Sequence, residues 1–173
     1  MNTFKNKGFT VGELLLSLTV IITLIASLFP FYQTARQRAT QKSTMLEMER
    51  WAKAITAYTT DYAKAPTNPL GKMHYKKEII NELTPYLNAI VILDWWRHYL
   101  WIWTGKGNEE YGITSESETD FIIASLGKEG RREGWKYDPR KPDSGISKPK
   151  SMEDFERDLV MWNNRFIRGP GSK

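Results

Sequence analysis

Leu14 to Phe31 reads LLLSLTVIITLIASLFPF, eighteen residues without a charge and with polar side chains only at Ser17, Thr19, Thr23 and Ser27. No other stretch limits the fold so severely. At about 1.5 Å rise per residue such a helix spans roughly 27 Å, close to the roughly 30 Å of a bilayer's hydrocarbon core. The run is long enough to be a membrane anchor. Residues 1–8 before it carry Lys5 and Lys7 and no acid, so the excess-Lys/Arg rule expects residue 1 in the cytoplasm and everything after Phe31 outside. One carboxylate breaks the pattern: Glu13, four residues past Phe9. An ion left unpaired in hydrocarbon costs about 3 kcal/mol or more, so this acid calls for a cation. The nearest candidate is an α-amino group, which Phe9 would supply, in the same subunit or a neighbour, if the chain were cut after Gly8.

The segment Lys7-Gly8-Phe9-Thr10-Val11-Gly12-Glu13, abutting an apolar helix, resembles the class III signal of type IV prepilins and type II secretion pseudopilins, and Pro30 falls where those helices commonly carry a proline. The resemblance covers about residues 5–65. It implies that a membrane prepilin peptidase removes residues 1–8, cleaving after Gly8 and methylating Phe9, and that Glu13 pairs with the amino terminus of an adjacent subunit in a helical homo-oligomeric filament. It also implies minor pseudopilins, an inner-membrane assembly platform and inner-membrane lipid as partners, with the C-terminal head periplasmic or otherwise extracytoplasmic. A Sec signal peptide shares the basic start, but its core is usually about 7–15 residues and ends at a small-x-small site. Here the run ends Phe29-Pro30-Phe31-Tyr32. A generic single-pass anchor is the other reading.

Without leader and anchor about 142 residues remain, enough for one modest domain with its own core. A mean hydropathy of -0.52 in a chain carrying such a run marks the remainder as decidedly hydrophilic. There is no cysteine, so packing, metal or neighbours must hold an extracytoplasmic fold. The net charge of +5 falls to +3 without Lys5 and Lys7. That is too mild to argue for nucleic acid.

Pro30 lacks an amide donor and is expected to kink or loosen the helix. Beyond it, no proline or glycine interrupts Gln33 to Tyr62. Met48, Trp51, Ala52, Ile55, Tyr58 and Tyr62 recur at three-to-four spacing, while Arg36, Lys42, Glu47, Arg50 and Lys53 mostly avoid that face. The spacing predicts one helix from about Thr10 to Asp61, roughly 75 Å long. Residues 9–31 form its membrane or filament-core part and residues 32–62 an amphipathic continuation, followed by a globular head at 63–173. Ala65-Pro66-Thr67-Asn68-Pro69-Leu70-Gly71 should end the helix. A second helix is expected over Lys77 to Leu83, with a possible resumption through Pro85 to Ile92 that places Ile79, Ile80, Leu83, Tyr86, Leu87 and Ile90 on one face.

Tyr99 to Trp103 and Asp120 to Ser125 read as strands. Leu159 to Trp162, Asn163-Asn164 and Arg165 to Arg168 read as a hairpin, because asparagine tolerates the positive φ of a primed turn. Residues 138–151, with three prolines and a glycine, read as a mobile outward loop. Asp154 to Asp158 reads as a short helical turn, and the tail after Ile167 as frayed. The expected fold class is α+β: a long N-terminal helix against three or four short antiparallel strands that bury one face, a pilin-like roll.

A second, weaker resemblance links Asp94-Trp95-Trp96-Arg97 and Thr119 to Gly130 to general-secretion major pseudopilins, whose first motif has proline and glycine where Trp95 and Arg97 stand. In those relatives a loop after the serine-x-glycine strand typically holds calcium. That implies carbonyls from Ser125 and Leu126 and an acid from Glu129 as a weak Ca2+ site. Arg131, Arg132 and Lys136 stand where further acids are expected and would repel a cation. The alternative is a calcium-free loop held by Arg–acid pairs and Trp135 packing. Trp95, Trp96, Trp101 and Trp103 are divided between core and a partner-binding aromatic patch, with Trp101 and Trp103 on one strand face. Stacking on single-stranded DNA is a third use for aromatics beside Arg97, Arg131, Arg132 and Lys136.

His74 and His98 lack a second ligand at motif spacing. Ser125 is not in a Gly-x-Ser-x-Gly elbow, and no phosphate loop or thiol is present. The expected function is a non-enzymatic subunit of a type II secretion pseudopilus. A type IV pilus subunit, major or minor, and a membrane-tethered binding protein that never polymerises are the alternatives.

Overall fold

The computed structural model describes residues 9–67 and 77–171. The leader at 1–8 with Gly8, the helix-stopping residues Asn68 to Gly71 and His74 lie outside them. Val11–Tyr62 is one helix, α1, of 52 residues. The chain divides into two compact units, residues 1–36 and 37–173, and each is described by itself.

In the first unit the helix is apolar all round. Its most apolar window has a mean hydropathy of 2.4 with none of it buried. Among the described residues it is the one helix long and apolar enough to cross a membrane. Pro30 lies inside α1 without ending it. Thr34 Oγ1 donates to the Pro30 carbonyl at 3.0 Å, one turn further on.

In the second unit, α1 buries Gln41, Thr44, Glu47, Met48, Trp51, Ala52, Ala54, Ile55 and Tyr58. That stripe keeps the three-to-four spacing of one helical face, but it begins two turns earlier than expected and begins with polar residues. Glu47 therefore belongs to the buried face rather than the solvated one. Tyr62 is the opposite correction: it is 57 % exposed, its ring 4.5 Å from that of Tyr58.

The short helix α2, Lys77–Leu83, runs into a 3-10 turn at Thr84–Tyr86. Ile79 and Leu83 are fully buried. The helix does not resume, since Leu87 is extended, and Ile90 is consequently exposed.

Seven strands follow: β1 Trp101–Thr104, β2 Glu109–Glu110, β3 Ile113–Thr114, β4 Phe121–Ser125, β5 Ile146–Ser147, β6 Leu159–Trp162 and β7 Arg165–Pro170. Five form a sheet in the order β1-β4-β6-β7-β5. Its pairs are antiparallel except β5 with β7, which run parallel. The sheet is therefore mixed. The turn between β6 and β7 has Asn163 and Asn164 both at positive φ, 42° and 66°, as a primed turn requires. Arg168 to Pro170 of the expected frayed tail are instead the end of β7, residues 172–173 lie outside the described residues, and the loop at 138–151 supplies β5. Strand pairing satisfies backbone groups that composition alone leaves to solvent.

The head has two cores. One face of the sheet, through Leu100, Ile102, Phe121, Ile123, Leu159 and Met161, packs on α1 and α2. The other, through Trp103, Ile122, Ala124, Val160 and Ile167, is covered by Tyr111 and Ile113, with Trp135 and Tyr137 partly buried against it. The expectation of strands burying one face against the helix covers only the first of these. The cover comes from the β2–β3 hairpin and the 131–137 segment, and every residue of β4 is buried as a result, as a strand covered on both sides must be.

Candidate functional site

Two places gather polar chemistry: the start of α1 and a buried turn at Asp94. At the first, Thr10 precedes the helix and Glu13 is its only first-turn acid. Glu13 N donates to Thr10 Oγ1 at 3.3 Å, and Thr10 N donates back to Glu13 Oε2 at 2.9 Å. Thr10 Oγ1 also donates to Glu13 Oε2, at 2.8 Å. This reciprocal pattern is a capping box. The sequence reading sought only a cation for Glu13 and missed the Thr-x-x-Glu spacing that signals the box. The carboxylate is thus held at the helix start by Thr10, the residue next to Phe9, which is 78 % exposed.

Along the span, each polar interruption turns inward on the backbone. Ser17 donates to the Glu13 carbonyl, Thr19 to Leu15, Thr23 to Thr19 and Ser27 to Leu24, all at 2.8 Å. No hydroxyl hydrogen of the run is left to water, the condition for a hydroxyl side chain in hydrocarbon.

The second place is the turn before β1. Asp94 Oδ1 accepts from the backbone N–H of Trp96 at 2.9 Å and of His98 at 2.8 Å, and Oδ2 accepts from Ser125 Oγ at 2.6 Å. Burial pushes the Asp94 carboxyl up against the opposing pull of these hydrogen bonds. His98 Nδ1 lies 3.0 Å from the Gly127 carbonyl. The two segments singled out by the weaker resemblance are therefore joined: Asp94 to Ser125, and His98 to the loop after β4. Arg97 has a φ of 72°, so the position where the resembling motif has glycine keeps a glycine-like backbone under a long side chain. In the loop, a Cβ on Gly127 would come within 2.6 Å of the Glu156 and Arg157 carbonyls, and one on Gly130 within 2.6 Å of the His98 ring. Both glycines also take positive φ.

Among the residues whose carbonyls or acid were expected to hold calcium, Ser125 and Leu126 are buried and Glu129 is exposed. Among the described residues no three His, Asp or Glu side chains gather within reach of one metal ion. The following segment is cross-linked by ion pairs between Arg132 and Glu110 and between Arg168 and Glu133. Arg132 lies 4.6 Å over the Tyr111 ring and Arg168 4.8 Å over Trp135, geometries that favour cation–π attraction. Beneath them Tyr111 donates to Asp158 Oδ2 at 2.9 Å, and Glu133 N donates to the same oxygen at 3.2 Å. Burial lifts the Asp158 carboxyl to about 6, and burial together with the Asp158 charge raises the Tyr111 phenol.

The four tryptophans separate. Trp101 and Trp103 stack on one face with centroids 5.6 Å apart, as strand alternation requires, and Trp103 is core. Trp96 is half-buried and donates from Nε1 to Gln37 Oε1 at 2.9 Å. Trp95 alone of the four is largely exposed, at 61 %. Arg132, one of the cations considered for nucleic acid, is already engaged by Glu110 and the Tyr111 face.

No protein-family model, curated protein sequence or solved structure matches the chain.

Proposed function

We propose that this chain is a structural subunit of a type II secretion pseudopilus, cut after Gly8, methylated at Phe9 and polymerised through α1. The observation that carries the reading is Gly8-Phe9-x-x-x-Glu13 directly abutting an uncharged apolar helix. In support, that helix continues unbroken to Tyr62 and residues 37–62 carry a small head, an arrangement that suits a pilin-like roll. The mechanism is mechanical and has no catalytic step. Apolar helices bundle at the filament centre, and Glu13 leaves its capping box to share the amino group of a neighbour's Phe9. The exchange keeps an ionised acceptor and replaces a neutral donor with a cation, so a Coulomb attraction between opposite charges is added to the charge-assisted hydrogen bond. A binding site assembled only between copies would set the register.

The test is the mass of the mature protein and the fate of two variants. Loss of residues 1–8 with one added methyl is expected, and Gly8→Leu should retain the leader. Glu13→Ala should still enter the membrane but fail to form filaments. Mature protein that begins at residue 1 would favour a membrane-tethered, non-polymerising binding protein instead.

A further inference from the structure

We propose that a groove between α1 and the ends of β5 and β7 binds the head group of an anionic phospholipid. The groove has a volume of about 590 Å3. Its floor is apolar, from Met45, Pro149 and Pro170, and its rim carries Arg38, Lys42 and Lys148 with no acid among the lining residues. All three cations are exposed, and none makes an ion pair or hydrogen bond with another described residue. By contrast Arg50, Lys128, Arg132, Arg157, Arg165 and Arg168 are all paired with acids. An apolar floor under a rim of unpaired positive charge complements an amphiphile whose polar end is negative.

Position in the chain selects a lipid over a soluble anion. Arg38 is seven residues beyond Phe31, the last residue of the apolar run, so even a fully extended chain holds it within about 25 Å of the run's end. Membrane phosphates lie roughly 5–8 Å outside the hydrocarbon edge. Long basic side chains lay their stems on apolar surface and place their charges outward, which the Met45 and proline floor permits. Each such cation near an anionic surface is worth roughly a fivefold preference. The inference rests on the apolar helix being a membrane anchor and is independent of filament formation.

The test uses the full chain in lipid nanodiscs of equal phosphatidylcholine and phosphatidylglycerol, with native mass spectrometry counting the lipids it retains. Wild type should keep phosphatidylglycerol at least fivefold over phosphatidylcholine. Lys42→Gln with Lys148→Gln should cut the preference severalfold, to what Arg38 alone supports, whereas Lys53→Gln with Lys64→Gln, the same charge change away from the groove, should leave it unchanged. Equal retention by wild type overturns the proposal, as does a preference lost equally in both double variants. In nanodiscs of phosphatidylcholine alone, a phosphate adduct on added inorganic phosphate would make the site one for free anions and would also overturn it. A chain that never enters nanodiscs removes the anchor premise and the proposal with it.

Discussion

The two parts of α1 solve opposite problems with one backbone. In residues 11–31 leucine, isoleucine, valine and phenylalanine are exposed on every side, and the hydroxyls that interrupt them bond to their own helix. In residues 41–58 the contacts are reversed. One face is buried against the head, and its first members are Gln41, Thr44 and Glu47, whose polar atoms must find partners in the fold. Thr44 Oγ1 accepts from Trp95 N at 3.1 Å. Glu47 Oε2 accepts from Arg50 at 2.7 Å, while its Oε1 is buried with no hydrogen-bond partner among the described residues. Apolar character marks exposure in the first part, and polar character is compatible with burial in the second. The local residue pattern has meaning only with respect to the solvent it meets.

This contrast can be broken by substitution, and tryptophan fluorescence reads one side of it selectively because all seven tryptophans lie between residues 51 and 162. In denaturant unfolding of the full chain in detergent micelles, Trp51→Ala should cost about 3–5 kcal/mol by emptying a fully buried site and stranding the Val91 carbonyl that Nε1 now serves. Ile22→Ala should leave the same transition within about 0.5 kcal/mol. Equal losses from both would show that the two parts of the helix share one cooperative core.

The next largest effect is a pH dependence. Burial raises the Asp158 carboxyl from 3.8 to about 6, so near pH 5 the folded chain holds a proton that the unfolded chain releases. Its contribution to stability is complete below about pH 4 and is lost as pH rises through about 6, by about 3 kcal/mol. Asp158→Asn should flatten that part of the stability profile measured from pH 4 to 7. A slope equal to wild type would assign the titration elsewhere.

Removing the acceptor at the buried turn comes third. Asp94→Ala leaves the Trp96 and His98 amides and the Ser125 hydroxyl without their carboxylate, and a loss of about 2 kcal/mol is expected in the same unfolding assay. Hydrogen exchange should rise first at His98 and Gly127, where the turn meets the loop. The smallest effect is a gain. Arg97→Gly relieves a positive φ of 72° and should raise stability by up to about 1 kcal/mol. A decrease would mean that the arginine side chain makes contacts worth more than the backbone strain.

Much of this architecture was written in local pattern. The apolar run, the α1 limits within one residue, α2, the hairpin with its Asn-Asn turn and the two further sheet strands β1 and β4 follow from periodicity and turn chemistry, which neighbours along the chain impose. Thr10 with Glu13 was equally legible, as a capping-box spacing, because both partners lie within one turn of the helix. The burial of Glu47 was not legible, because nothing beside it in the chain says that the head extends that far down the helix. Nor was β5: Ile146-Ser147 sits among prolines and charges and becomes a strand only because β7 offers an unpaired edge. The second core has the same origin, since Trp103 and Ile122 are covered by the β2–β3 hairpin between them in the chain and by residues 131–137, and nothing in their local pattern says that either folds back over the sheet. Sequence alone determined the long helix, α2, the strands β1, β4, β6 and β7 and where the chain is too apolar for water, since those depend on the order of residues. Tertiary structure decided which polar groups are buried and what partners them, because the partners of Asp94, Tyr111 and Glu133 lie 31, 47 and 35 residues away and come within reach only when the sheet closes.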